Sequence, residues 1–146
     1  MRKKREIKNE IRWTMPSLSV NEGMARAMVA AFCAQANPTS TEIADIKCAV
    51  SEAVTNCIVH GYRDQAGEIR ICVKLCEGRL IQVEIKDRGC GIEDVRRARE
   101  PMFTTDAENE RSGMGFTVME NFCDSVRVHS KLGKGTTVVL MKRLRR

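Results

Sequence analysis

The chain has 146 residues and a formal net charge of +6, which suits a single domain around one core. No stretch resembles a transmembrane span or a secretory signal, so we expect a cytoplasmic protein without membrane contact. Eight of the 25 basic residues lie in residues 1–5 and 142–146, and the remainder of the chain has 17 basic against 19 acidic residues. This distribution predicts short solvated tails rather than a nucleic-acid-binding face.

The first half of the chain predicts one strand and two helices. Apolar residues alternate with polar ones over residues 7–15, and Pro16 ends this strand. Helical spacing follows from residue 21 until the break at Asn37-Pro38. Thr39-Ser-Thr-Glu42 is a capping box, and the helix it starts runs to about His60, where Gly61 suits the C-terminal cap.

The second half predicts four strands and two further helices. The strands cover 69–75, 81–87, 126–130 and 137–141, the last of them formed by Thr137, Val139 and Met141. The helices cover 92–99 and 115–123. Residues 101–113 show no period, and a loop of this length is usually functional or disordered. We therefore predict an α+β fold, a two-layer α/β sandwich whose mixed, mainly antiparallel sheet carries helices on one face.

The seven cysteines give no sign of a disulfide framework or a zinc site. Their number is odd, and no pair has C-x-x-C spacing. Cys33, Cys48 and Cys57 fall at apolar helix positions. We interpret these three as small buried hydrophobic residues in a reducing compartment.

Glu52, Asn56 and His60 lie four residues apart on the second predicted helix, which places their side chains on one stripe. Together they can deprotonate a hydroxyl, hold a hard cation and hydrogen-bond a phosphate. Asn56 is unfavourable in a helix interior, and Mg²⁺ binding through its amide oxygen would explain it. The alternatives are a solvated polar stripe and, for His60, a cap on the helix C-terminus.

A second motif, Asp87-Arg-Gly-Cys-Gly91, comes off the end of a predicted strand. Asp87 has the parity of the buried face, and a buried carboxylate needs hydrogen-bond donors. An exocyclic amine such as that of adenine is one such donor. Gly89 and Gly91 allow a tight turn and close approach to a flat ring. The alternative is an ordinary turn after a strand.

Two further glycine motifs suit phosphate binding. Arg111-Ser-Gly-Met-Gly115 opens a helix, and its exposed N–H groups can cradle an anion that Arg111 covers. Gly133-Lys-Gly-Thr-Thr137 is most simply interpreted as a hairpin turn. The functional interpretation is that Thr137 supplies a hydroxyl near a nucleotide. No Walker-type motif and no eukaryotic-type protein kinase motif set occurs.

The four motifs resemble, in order, the N, G1, G2 and G3 boxes of the Bergerat-fold (GHKL) ATPases, over about residues 20–142. Within this superfamily the chain resembles the small serine kinases that act as anti-sigma factors. Segment 110–122 is most similar to the sporulation branch, the anti-sigma F factors, and reads Glu-Arg-Ser-Gly-Met-Gly-Phe-Thr-Val-Met-Glu-Asn-Phe.

This resemblance implies a mechanism. ATP would bind with its adenine on Asp87, Asn56 would hold Mg²⁺ between the phosphates, and Glu52 would act as general base on a serine of an anti-anti-sigma protein. Phosphoryl transfer needs mainly positioning and charge neutralisation, which such a site can supply. The nucleotide-binding residues implied in all are Asn56, His60, Asp87, Gly89, Gly91, Thr104, Thr105, Arg111, Ser112, Gly113, Met114, Gly115 and Thr137.

The resemblance also implies partners. Such proteins bind sigma F and block its use by RNA polymerase, and ATP or ADP in the site decides which partner is bound. The group is dimeric, and Arg26 matches a position on its partner-binding surface.

The sequence leaves three alternatives open. A detached histidine kinase catalytic domain would need a phosphoacceptor histidine, but His60 and His129 lie in the N box and on a predicted strand. A non-catalytic ATP-binding anti-sigma module would not need Glu52. A kinase of a stress-response partner switch would share every catalytic residue.

Overall fold

The computed structural model describes residues 5–63, 65–100 and 115–145. The main elements are β1 (Ile7–Pro16), α1 (Val20–Cys33), α2 (Ser40–Asn56), a π-helical turn (Cys57–Gly61), β2 (Glu68–Cys76), β3 (Leu80–Asp87), α3 (Val95–Ala98), α4 (Gly115–Phe122), β4 (Ser125–Lys131) and β5 (Gly135–Arg143). Short 3₁₀ turns cover Ala34–Ala36 and Glu77–Arg79.

The described strands form one five-stranded sheet in the order β1-β2-β3-β5-β4. Each neighbouring pair is antiparallel, so the predicted α+β class is confirmed but the expectation of a mixed sheet is wrong. The reason is that β5 inserts between β3 and β4. These two strands run in the same direction, and they never pair because each bonds to β5 instead.

The core lies between this sheet and a helical layer in which α2 packs between α1 and α4. The α2 residues Ile46, Ala49, Val50, Ala53 and Val54 are buried at helical spacing. They meet a sheet face on which alternate residues of β2 and β3 are buried. Full burial of one such aliphatic side chain contributes about 1.5–3 kcal/mol.

The start of α2 is fixed by the capping box that the sequence predicts. The hydroxyl of Thr39 accepts a bond from the Glu42 N–H at 3.1 Å, and the Glu42 carboxylate accepts one from the Thr39 N–H at 2.9 Å. A cap of this kind is worth about 1 kcal/mol. It fixes where α2 begins, and Glu52 and Asn56 lie near the far end of the same helix.

The end of this helix differs from the prediction. The α-helical pattern stops at Asn56 and continues as the π-helical turn, closed by a bond from the Tyr62 N–H to the Cys57 carbonyl at 2.9 Å. Gly61 is not a left-handed cap; Arg63 takes the positive φ of 52° instead. Single π-helical turns inside or after α-helices are frequent at functional sites.

The sequence does not assign a buried face to β5, and the pairing with β3 decides it. The buried residues are Thr136, Val138 and Leu140, whereas Thr137 and its parity mates lie on the opposite face. Both parities of this strand carry apolar residues, so alternation could not choose between them. The register with β3 decides, because it sets Thr136 opposite Asp87.

The expectation of a solvated tail at 142–146 is wrong for residues 142–145. Strand β5 extends to Arg143, and Leu144 is a core residue with 4% of its surface exposed. Lys142 donates to the Phe122 carbonyl at 2.7 Å and pairs with Asp45 at 3.3 Å. At the other end of the chain, Arg5 is exposed and precedes β1.

All seven cysteines are free thiols. Cys33 and Cys57 are buried as expected, but Cys48 lies on the exposed side of α2. Within the described ranges, no helix combines the length and the apolar character that crossing a bilayer requires.

Candidate active site

A cleft of about 600 Å³ opens at the end of the sheet where β3 ends and β5 begins. Its walls come from the end of α2, the π-helical turn, the glycine turn after β3, α3, the start of α4 and the β4–β5 hairpin. The predicted site residues that line it are Asn56, His60, Asp87, Gly91 and Gly115. The N, G1, G2 and G3 motifs therefore meet at one cleft.

Asp87 forms the floor of this cleft and is only 4% exposed. One carboxylate oxygen, Oδ1, accepts bonds from the N–H groups of Gly89 at 2.9 Å and Thr136 at 3.2 Å. Burial raises the pKa of Asp87 above its ordinary value, and these donors and the Cys57 thiol partly offset the rise. The carboxylate keeps acceptor capacity for a ligand's N–H group.

Cys57 also holds Asp87. Its thiol is buried and hydrogen-bonded to this carboxylate. Burial first, and then the negative charge of Asp87, raise the pKa of Cys57 well above its ordinary value. The thiol therefore stays protonated and acts as a donor to Asp87.

Two glycines allow the backbone of the π-helical turn to touch the turn after β3. A Cβ atom on Gly61 would lie 2.9 Å from Oδ2 of Asp87, and one on Gly89 would lie 2.1 Å from the Gly61 carbonyl oxygen. The Cys90 N–H donates to that same carbonyl at 2.8 Å. The sequence assigned Gly89 to a close approach to a ligand ring, but here Gly89 approaches the protein's own backbone.

Glu52 and Asn56 converge on the first residue of α4. A Cβ atom on Gly115 would lie 3.3 Å from Oδ1 of Asn56 and 3.5 Å from Oε2 of Glu52. Both side chains are half-buried. A carboxylate oxygen and an amide oxygen thus meet beside a helix N-terminus, which is a setting for anionic ligands and the hard cations that accompany them.

His60 lies in the π-helical turn and lines the same cleft. Its carbonyl accepts a bond from the Cys90 thiol at 3.1 Å, which ties it to the glycine turn. The three residues of the predicted helix stripe are therefore all at or beside the cleft.

Gly89 and Thr137 are not among the described residues that line the cleft. Thr137 faces the other side of the sheet, opposite Lys86 in the strand register, and Thr136 takes its place. Thr136 is buried, and its hydroxyl is hydrogen-bonded to that of Ser130 at 2.8 Å.

Six predicted site residues lie outside the described residues: Thr104, Thr105, Arg111, Ser112, Gly113 and Met114. Arg26, the predicted partner-binding residue, is on the exposed side of α1. It forms an ion pair with Glu22 at 4.0 Å.

Sequence reasoning missed the apolar part of the cleft. Its lining includes Ile92, Ala98, Phe116, Leu132 and Val138. These side chains can pack against a flat ring, as in most ligand pockets. No local pattern marked Val138 either, because only the register of β5 with β3 turns it toward the core.

Comparison with known proteins identifies the family. A family model described as "Histidine kinase-like ATPase domain" matches residues 15–142. Anti-sigma F factors from Anoxybacillus flavithermus and Clostridium acetobutylicum are 52% and 45% identical to this chain, over 94% of its length. The matches cover 94% and 95% of those relatives. The chain belongs to the anti-sigma F factor family. The family resemblance, the ATP-binding fold and the kinase class that the sequence predicts are thereby confirmed.

Solved structures agree on the fold. The RsbU and RsbW domains of a Mycobacterium tuberculosis protein superpose with a TM-score of 0.70 at 23% identity, covering 95% of this chain and 33% of that one. A blue-light-activated histidine kinase domain from Erythrobacter litoralis EL346 gives 0.56 at 18% identity, covering 89% of this chain and 62% of that one. This chain spans a third and about three fifths of their lengths, so the likeness concerns the fold alone.

Proposed function

We propose that this anti-sigma F family member binds sigma F, keeps it from RNA polymerase, and uses ATP to phosphorylate a serine of an anti-anti-sigma protein. The observation that carries the proposal is the meeting of Glu52 and Asn56 with the start of α4, at a cleft whose floor is Asp87. ATP binding alone would need Asp87, whereas phosphoryl transfer also needs a base beside the phosphates.

In this proposal adenine lies in the apolar part of the cleft with its amino group on Asp87. The carboxylate is held by two backbone N–H groups and the Cys57 thiol, which leaves it pre-oriented for one more donor. A pre-oriented acceptor in a buried site discriminates strongly, because a base without the amino group leaves it unpaired.

The triphosphate points toward the N-terminus of α4, where Glu52 and Asn56 meet. Their oxygen atoms suit Mg²⁺, which takes few protein ligands and completes its shell with phosphates and water. Asn56 would hold the ion, whose chemistry here is to neutralise phosphate charge.

Glu52 then acts on the incoming serine. Its carboxylate takes the hydroxyl proton while the serine oxygen bonds to the γ-phosphorus and the bond to the β–γ bridging oxygen breaks, which releases ADP. His60, beside the same cleft, hydrogen-bonds the phosphates. The expected partners are sigma F and the anti-anti-sigma protein in turn, bound by a cytoplasmic homodimer through a surface that includes Arg26.

The test is to mix the protein with γ-labelled ATP, Mg²⁺ and its antagonist, the cognate anti-anti-sigma protein. Label on an antagonist serine supports the kinase, and retention of ATP without transfer would favour the non-catalytic anti-sigma module. Pull-down with ATP and then with ADP identifies the partners. Recovery of a stress sigma factor in place of sigma F would reassign the pathway and leave the chemistry intact.

A further inference from the structure

The side chain of Tyr62 stands between the ends of two strands, and its neighbours Gly61 and Arg63 line the cleft. Its hydroxyl donates to the Glu68 carbonyl at 2.5 Å and accepts from the Arg88 N–H at 2.8 Å. Glu68 begins β2, and Arg88 is the first residue after β3. One phenol therefore bridges the end of the β2–β3 ladder.

The strand register shows what this hydroxyl replaces. Arg70 pairs with Lys86, and each further antiparallel step moves one residue down β2 and one up β3. Two steps on, Glu68 faces Arg88, and in a continued sheet the Arg88 N–H would bond directly to the Glu68 carbonyl. The Tyr62 hydroxyl occupies that place, so it holds the two strands apart where they leave the sheet.

The side chain of Tyr62 is called the wedge below, because its hydroxyl lies between β2 and β3. Its ring is held in place from both sides. Tyr62 follows the π-helical turn, and its N–H donates to the Cys57 carbonyl at 2.9 Å. Its ring packs against the backbone of Gly67, where an added Cβ atom would lie 2.3 Å from the ring carbon Cε1. The absence of a side chain at Gly67 makes room for the ring.

The wedge acts on the turn that carries Asp87. Three successive N–H groups of this turn have defined acceptors: Arg88 donates to Tyr62, Gly89 to Asp87, and Cys90 to the Gly61 carbonyl. Two of these acceptors, the Gly61 carbonyl and the Tyr62 hydroxyl, belong to consecutive residues. Residues 61–62 thus hold the glycine turn in the conformation that presents the Asp87 carboxylate to the cleft.

We propose that Tyr62 is a positioning residue for nucleotide binding: its hydroxyl replaces the last ladder bond between β2 and β3 and so sets the orientation of Asp87. The inference rests on the proposed function, because it assumes that adenine binds on Asp87. It assigns no contact between Tyr62 and the nucleotide.

Two variants disturb the wedge in different ways. Tyr62→Phe keeps the ring and removes the hydroxyl, which frees Arg88 to close on Glu68. Gly67→Ala keeps the hydroxyl and displaces the ring. The matched control is Ser17→Ala, which removes a bond of 3.2 Å to the Gln65 carbonyl in the same loop but touches neither β3 nor the glycine turn.

We expect both wedge variants to bind ATP about 3- to 10-fold more weakly, as the loss of one hydrogen bond in the network implies. The control should lose thermal stability without losing affinity. A purely structural role of Tyr62 would instead lower the melting temperature of Tyr62→Phe and leave its ATP affinity at the parent value, which would overturn the proposal. Weakening by Gly67→Ala alone would also overturn it, since the hydroxyl would then be dispensable.

Tyr62 is the single tyrosine of the chain, so its hydrogen bonding can be observed directly. Ultraviolet resonance Raman spectroscopy of the parent should show a phenol that donates and accepts together, and hydrogen exchange should show an Arg88 amide whose protection changes in Tyr62→Phe. If the phenol only donates, and hydrogen exchange of the Arg88 amide is the same in Tyr62→Phe as in the parent, the wedge is rejected whether or not nucleotide binds. Failure of the parent to bind ATP, with these two signals present, would instead reject the proposed function.

Discussion

At the scale of single residues, the site depends on a carboxylate whose burial costs free energy. Asp87 lies under the cleft with two backbone donors and a thiol donor, and its pKa is still raised because burial disfavours the charged form. A group whose folded-state pKa is raised stabilises the fold only while it is protonated. Its charged form therefore costs stability as the pH rises above its ordinary value of 3.8.

Asp87→Asn should consequently raise the melting temperature at neutral pH, and the gain should shrink as the pH falls toward 4. The same change should weaken ATP binding about 10- to 100-fold, because a charged acceptor is replaced by an amide. Differential scanning calorimetry across pH, with ATP titrations at pH 7, measures both effects. A variant that binds ATP and GTP like the parent would exclude Asp87 from adenine recognition.

Glu52 has the opposite task, because it acts on transfer and not on binding. Glu52→Ala should keep ATP affinity within about threefold of the parent and reduce phosphorylation of the antagonist by about 100-fold or more, the usual contribution of a general base. Glu52→Gln is the matched control that keeps the shape and the hydrogen bonding. Transfer at the parent rate by either variant would show that the base is another group.

At the scale of elements, the glycine turn and the end of the second helix form one unit. Gly89 sits against the Gly61 carbonyl, and Gly61 sits against Asp87, so neither element can move without the other. The α-helix gives way to a π-helical turn at this contact. The wider turn brings the Gly61 and Tyr62 backbone to the strand end that carries Asp87.

Alanine substitution at two glycines separates this packing from helix propensity. Gly89→Ala places a methyl group 2.1 Å from a carbonyl oxygen and should destabilise the fold by about 2 kcal/mol or more. Gly23→Ala, inside α1 with its nearest neighbour at 3.9 Å, should stabilise it by about 0.5–1 kcal/mol. Urea unfolding monitored by Trp13 measures both, and equal effects of the two changes would contradict the packing.

How far the sequence predicts these elements depends on whether the signal is local. The Thr39 capping box and the buried parity of Asp87 could be predicted, because side chains within three residues, or the alternation of one strand, define them. The face of β5 could not, since both of its parities are apolar and only pairing with β3 chooses. The π-helical turn and the wedge at Tyr62 arise from contacts between distant segments, which no local pattern encodes.

At the scale of the whole molecule, residues 142–145 belong to the fold, and Leu144 among them lies in the core. Sequence composition indicated a solvated basic tail because charged residues dominate it, yet Leu144 is buried among them and its N–H donates to the Arg79 carbonyl at 2.9 Å. In the same segment, Lys142 of β5 forms an ion pair with Asp45 of α2. This pair connects the sheet to the helical layer.

Leu144→Ala should therefore cost about 2–4 kcal/mol, the range for truncating a buried leucine. Arg145→Ala is the matched control in the same segment; its bond to Glu42 is made by the main chain, so stability should change by about 0.5 kcal/mol or less. Chemical denaturation curves compare the two. A harmless Leu144→Ala would mean that residues 142–145 behave as a tail in solution.

Every role assigned above requires a magnesium–adenine nucleotide in the cleft between the end of α2, the turn after β3 and the start of α4. Isothermal titration calorimetry of the intact chain with ATP and Mg²⁺ tests it most directly. We expect a saturable heat with one nucleotide per chain, greatly weakened in Asp87→Asn. Absence of binding heat in the folded parent, or full retention in that variant, would contradict it.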